Sequence, residues 1–179
     1  MKIPSYDECL KLIEINEMRD NIKQHSLTVM KVALSIFDSF TVDSGLNRDL
    51  LLAGALLHDI TKTRSLTTKE NHSLTGAALL YDYGYPEVAE IVGEHVMLIN
   101  FSEDANLTEK EIVYYSDKRV KHEEIVLIND RIKDLIERYG RTEDEILRIK
   151  NFLHFTTIIE NKISRFTNKN IDEIVFKSV

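Results

Sequence analysis

The chain has 179 residues, enough for one domain with a sizeable core, and its 43% hydrophobic share is ordinary for a globular protein. A formal net charge of -7 disfavours non-specific attachment to a nucleic acid polymer or an anionic membrane, and no apolar run approaches the roughly 20 residues needed to span a bilayer. A lone cysteine, Cys9, excludes an internal disulfide and a thiolate metal cluster. The opening MKIPSYDECLKLI carries acidic residues and lacks the apolar stretch of a signal peptide, so a cytoplasmic protein is expected.

Helical periodicity dominates the chain, and 2 Pro and 6 Gly are few for a turn-rich sheet protein. Ser5 and Glu8 have capping-box spacing and open a short first helix. A second helix is predicted from about Asn21 to Phe40, with the stripe Val29, Val32, Ala33, Ile36, Phe37 and Phe40. His25 lies four residues before Val29 and shares that inward face. Asn47 caps the apolar run Leu50 to Leu57, from whose last turn His58 and Asp59 emerge. TKTRSLTTKEN then reads as a polar loop.

Asn71 or Ser73 begins the next helix, which ends at Gly84, and Pro86 opens another with the stripe Val88, Ile91, Val92 and His95. Thr108 and Glu111 form a second capping box, and Asp117 falls four residues after Val113, on the apolar side of that helix. From about Lys121 the pattern changes. HEEIVLINDRIKDLIERYG is amphipathic and closes at Gly140; Thr142 with Glu145 starts a helix to about Arg165, and IDEIVFKSV ends the chain. The expectation is an all-α fold: a helical core over residues 1–121, and a C-terminal helical extension over 122–179 that packs on it and offers a lid or a homodimer surface.

His58 and Asp59 are the sharpest feature. Two metal-capable side chains leaving an apolar helix are costly unless something compensates them, and a divalent cation is the usual compensation. His25, His72, His95 and Asp117 stand at or near the starts, ends or apolar stripes of other helices. Taken singly, His25 and His95 read as hydrogen-bonded core histidines, His72 as a cap-region residue and Asp117 as a solvated one. Together, four imidazoles and two carboxylates supply the neutral nitrogens and charged oxygens of a two-metal site.

The same pieces resemble the HD-domain superfamily of metal-dependent phosphohydrolases. IKQHSLTVMKVAL holds His25, LLAGALLHDITK holds His58 and Asp59, ENHSLTGAALL holds His72, AEIVGEHV holds His95, and IVYYSDKRV holds Asp117. The likeness spans roughly residues 20–121, and the order H…HD…H…H…D is most similar to the six-ligand subgroup that includes diadenosine tetraphosphate hydrolases of the YqeK type. It implies an HD-domain helical bundle with additional C-terminal helices. One metal would be held by His25, His58, Asp59 and Asp117, and a second by Asp59, His72 and His95, with Asp59 bridging. A metal-bridging hydroxide would attack the phosphorus of a phosphoester or phosphoanhydride, the substrate being a small phosphorylated compound such as a nucleotide. Asp59 and Lys62 would be catalytic, and Lys62, Lys118 and Arg119 would contact the substrate. Iron or manganese is the expected metal, with cobalt, nickel or zinc as alternatives.

Two departures stand out: Thr61 replaces a glycine frequent after the family's His-Asp-Ile, and Gly84-Tyr85-Pro86 spells a triplet of the cyclic-di-GMP phosphodiesterases whose remaining motif is missing. Helix punctuation accounts for Gly84 and Pro86. His122 and His154 lie outside the pattern and are read as surface or core residues. The same ligand set also occurs in mixed-valent di-iron oxygenases of the family, and a nucleotide-binding regulator without turnover is a third alternative.

Overall fold

A computed structural model describes residues 2–178. Its elements run α1 (Tyr6–Ile15), α2 (Asp20–Asp38), α3 (Arg48–Leu57), α4 (Lys62–Thr68), α5 (His72–Asp82), α6 (Pro86–Glu94), α7 (Glu109–Lys118), β1 (Val120–Lys121), β2 (Glu124–Ile125), α8 (Ile128–Tyr139), α9 (Glu143–Ser164) and α10 (Ile171–Phe176). The fold is all-α apart from the small β1–β2 hairpin. Among the described residues no helix is long and apolar enough to cross a membrane.

Local chemistry sets the helix starts. Ser5, Thr108 and Thr142 each close a reciprocal capping box with the glutamate three residues on, and the side chains of Asn47 and Asn71 accept first-turn amides of α3 and α5. Pro86 stands in the first turn of α6, and Gly84 takes the left-handed conformation (φ 82°) that ends α5.

α3 is the central element. Leu51, Ala53, Ala55, Leu56 and Leu57 are fully buried, and the helix packs against α1, α2, α6 and α7. Gly54 permits the closest of these approaches: a Cβ there would lie 2.7 Å from Ile91 Cγ2 of α6. The same buried cluster continues into the C-terminal helices through Ile159 and Ile163 of α9 and Ile174 and Val175 of α10.

Two segments depart from the expectation. The polar stretch after Asp59 contains α4, which has no buried residue and therefore shows no apolar period. It is closed by Lys69 in the left-handed region (φ 62°). The amphipathic segment after Lys121 begins as a hairpin, Val120 paired with Ile125 and Lys121 with Glu124, and turns helical only at Ile128. The hairpin places His122 at φ 56°, a strained conformation for a non-glycine residue.

Candidate metal centre

Four helix ends converge on one buried point. His58 is the C-cap of α3 and Asp59 follows it; His72 begins α5; His95 is the C-cap of α6; Asp117 lies in the last turn of α7. His25 reaches the same point from the inward face of α2. All six residues expected from sequence come together.

The imidazoles are oriented alike. His58 Nδ1 lies 2.8 Å from the Ala55 carbonyl, His95 Nδ1 2.7 Å from the Val92 carbonyl and His25 Nδ1 2.7 Å from the His122 carbonyl. A carbonyl only accepts, so Nδ1 carries the proton in each ring and donates it there; the Nε2 atoms face the centre, where that of His58 has no hydrogen bond and that of His25 meets Asp117 Oδ1 at 3.0 Å. Hydrogen bonds of this kind fix ring orientation in metal-ligating histidines. The strained turn at His122 thus supplies one of the three carbonyls.

The acceptor atoms lie within reach of one another. His25 Nε2 is 3.0 Å and His58 Nε2 3.7 Å from Asp117 Oδ1. Around Asp59, His58 Nε2 stands 3.4 Å from Oδ2, while His72 Nε2 and His95 Nε2 stand 3.2 and 3.5 Å from Oδ1. His72 Nε2 and His95 Nε2 are themselves 3.2 Å apart. Two groups of potential ligands result, His25, His58 and Asp117 on one side and His58, Asp59 and His95 on the other, each with donor atoms within 4.8 Å of one another.

Electrostatics sharpen the picture. His58 and Asp59 are 0% and 1% exposed, and His58 Nε2 and Asp59 Oδ1 have no well-formed hydrogen bond, with His72 and His95 3.2 and 3.5 Å from Oδ1. Burial pushes Asp59 upward, but His58, His72 and His95 outweigh it and hold the carboxyl well below its usual range. Asp117 is likewise low, burial being overcome by Lys118, His25 and His58. Burial lowers His58, yet Asp59 and Asp117 reverse this and leave it raised. His95, desolvated and beside His58, is lowered to about 4 and is therefore neutral at physiological pH. Ionised carboxylates and neutral imidazoles are the forms that bind cations.

The basic residues divide. Lys62 Nζ donates to Asp59 Oδ2 at 2.7 Å, and burial, which lowers its pKa, is overcome by Asp59 and Asp117 so that it stays charged. Lys118 Nζ donates to Asp117 Oδ2 at 2.7 Å and contacts the His95 carbonyl at 3.3 Å, so it braces the site from a buried position. Arg119, expected at the substrate, is not brought to the site. It is fully buried, donates to the Val126 carbonyl and the Tyr115 hydroxyl, and pairs with Asp172 of α10 at 2.7 Å. Lys118 and Arg119 are neighbours in sequence but project about 100° apart around the helix.

Other contributions were not visible in the pattern. Thr61, where the family often has glycine, donates its hydroxyl to the His72 carbonyl at 2.8 Å and ties the end of α3 to the start of α5. A cavity of about 180 Å³ reaches His25, Asp59 and Lys62, and is lined as well by Arg131 and Arg138 of α8. No spacing rule connects Arg131 of α8 to Asp59, 72 positions upstream.

Comparison with known proteins agrees with this geometry. A family model described as HD domain matches residues 22–121. The chain is 30% identical over 183 residues to the tRNA (cytidine(56)-2'-O)-methyltransferase of Picrophilus torridus, covering 96% of this chain and 50% of that protein. It is 31% identical over 146 residues to the dihydroneopterin 2',3'-cyclic phosphate phosphodiesterase of Methanocaldococcus jannaschii, covering 72% and 57%. The chain thus spans only about half the length of these curated relatives. A crystal structure of a predicted HD superfamily hydrolase from an uncultured Thermotogales bacterium superposes with a TM-score of 0.50 over 92% of each chain at 19% identity, a likeness of fold. With the family model covering more than half of its residues and all six side chains gathered at one point inside the matched segment, this chain belongs to the HD domain family.

Proposed function

We propose that the protein is a metal-dependent phosphohydrolase that cleaves a phosphoester or phosphoanhydride of a small phosphorylated compound, with a nucleotide as the first substrate to test. His25, His58, Asp59, His72, His95 and Asp117 would hold two divalent cations, iron or manganese, with Asp59 as the shared ligand. One observation carries this: His58 Nε2 and Asp59 Oδ1 are both buried and unpartnered at the focus of the converging side chains. Each unsatisfied buried group costs about 1–3 kcal/mol, more when charged, and cations bound there turn that cost into coordination. The donor set, nitrogen-rich with two carboxylates, fits borderline transition metals better than magnesium.

Cations so held lower the pKa of bound water and neutralise charge on phosphoryl oxygens. The chain's own residues do the rest. The backbone carbonyls of Ala55, Val92 and His122 keep three imidazoles in the ligating tautomer. Lys118 holds Asp117 in place. Lys62, 38% exposed at its side chain, rests its ammonium on Asp59 and lines the adjoining cavity, where it would meet a phosphoryl oxygen of the substrate. The Methanocaldococcus jannaschii relative, by its name a phosphodiesterase, supports phosphate-ester chemistry. The methyltransferase name belongs to a protein of which this chain spans half, and a cluster of imidazoles and carboxylates offers nothing for methyl transfer.

The test is anaerobic purification with metal quantification, followed by a screen of cyclic phosphodiesters, phosphomonoesters and phosphoanhydrides. Metal-dependent hydrolysis of at least one class is expected. Full metal loading with no turnover of any class overturns the proposal, and oxygen uptake by a light-absorbing di-iron form replaces it.

A further inference from the structure

The cavity that adjoins Asp59 and Lys62 has a second set of charges. Asp134 of α8, 7% exposed, accepts from Arg131 through Oδ2 at 3.0 Å and pairs through Oδ1 with both Arg138 and Lys121 at 2.9 Å. One carboxylate therefore anchors three cations, and the group keeps excess positive charge. Arg131 Nε is buried with no acceptor. Arg138 Nη2 stands 3.1 Å from His122 Nε2 at the hairpin turn. The Arg131–Asp134 and Arg138–Asp134 pairs stand at helical spacing, but the two arginines share one acid and Arg131 keeps a buried donor. Here Arg131 and Arg138 both line the cavity and are held by a buried anchor, and Arg131 retains an unused N–H.

We propose that Arg131 and Arg138 form an anion subsite for a second phosphoryl group of the substrate, beside the one that is cleaved. It rests on the hydrolase reading and narrows it to phosphoanhydrides and other doubly phosphorylated compounds over those with one phosphate. The guanidinium fork matches a phosphate in geometry as well as charge. The cavity, about 180 Å³, is smaller than the roughly 300 Å³ at which pockets for drug-sized molecules begin, so it takes the phosphates and leaves the organic part outside.

Binding of inorganic pyrophosphate and of inorganic phosphate to the metal-loaded protein, measured by calorimetry, tests the subsite. Wild type is expected to hold pyrophosphate about tenfold tighter than phosphate. Arg131→Gln and Arg138→Gln should each lose about tenfold for pyrophosphate while phosphate stays within about twofold, and Arg131→Lys should recover part of the loss. Pyrophosphate affinity unchanged in both glutamine variants overturns the proposal, as does an equal loss for both anions, which would mark a general field effect. Thermal melting checks folding, and either arginine suffices if the other variant does not fold. A selective loss of pyrophosphate binding in a protein that hydrolyses nothing supports the subsite and overturns the hydrolase reading. Hydrolysis of one-phosphate esters with unaltered pyrophosphate binding in both variants does the reverse.

Discussion

Replacing Asp59 with asparagine tests the proposed bridging role with almost no change of shape. Asp59 Oδ2 accepts from Lys62 at 2.7 Å, and Oδ1 faces His72 and His95 at 3.2 and 3.5 Å. In metal-free protein two effects oppose each other: a buried carboxylate is removed, and Lys62 loses its partner. Lys62 is 38% exposed, so its charge returns to water, but the contacts that hold the Asp59 carboxylate ionised beside His58, His72 and His95 are lost, and the metal-free variant should be less stable than wild type by about 1–3 kcal/mol. The metal-loaded proteins should differ far more. Ligand at about a thousand times its dissociation constant stabilises the folded state by about 4 kcal/mol, and for a chain of this size that is about 8–16 °C in Tm. Asp59→Asn should lose most of that rise, drop from two metals per chain to one or none by elemental analysis, and lose hydrolysis. An Asp59→Asn protein with wild-type metal content and an undiminished metal-induced rise in Tm would refute the bridging assignment.

The remaining expectations concern single parts of the structure. His72→Ala combined with His95→Ala should keep about one metal per chain by elemental analysis; retention of two would defeat the binuclear arrangement. Metal-free protein should lose stability as the pH falls from 6.5 towards 4. In that window the unfolded chain protonates His95 and the folded one does not, a difference of up to about 3 kcal/mol, and the depressed Asp59 and Asp117 extend the loss to lower pH. His58 has the opposite sign: its raised pKa contributes stability that is present below 6.5 and lost as the pH rises through the folded value. Urea midpoints at pH 7 and 5 for wild type and His95→Gln check this, and an equal decline in both would sink the assignment to His95. Arg119→Ala should cost about 2–4 kcal/mol by urea unfolding, because it empties a fully buried site and takes the donor from the Tyr115 hydroxyl and the Val126 carbonyl, while the half-exposed Asp172 returns to water and metal content stays that of wild type. A fall in metal content at unchanged stability would put Arg119 back at the site.

The helices and the six ligand-type residues could be read from the chain because the relevant physics is local. Capping at Ser5, Asn47, Asn71, Thr108 and Thr142 depends on a few consecutive residues, and inward placement of His25 and Asp117 follows from a period of 3.6. α4 escaped because its residues bury nothing, and the β1–β2 hairpin because its strands are two residues each, too short to show alternation. Tertiary packing alone decided what surrounds the ligands. The His122 carbonyl meets His25 across 97 positions, and Arg131 reaches the cavity of Asp59 only because α8 folds back after the hairpin. Arg119 turns to α10 while Lys118 turns to Asp117, a choice set by which helices lie on either side of α7. Backbone carbonyls and distant arginines have no signature along the chain; they acquire a partner when the helices close around one point, where burial makes each missing hydrogen bond expensive.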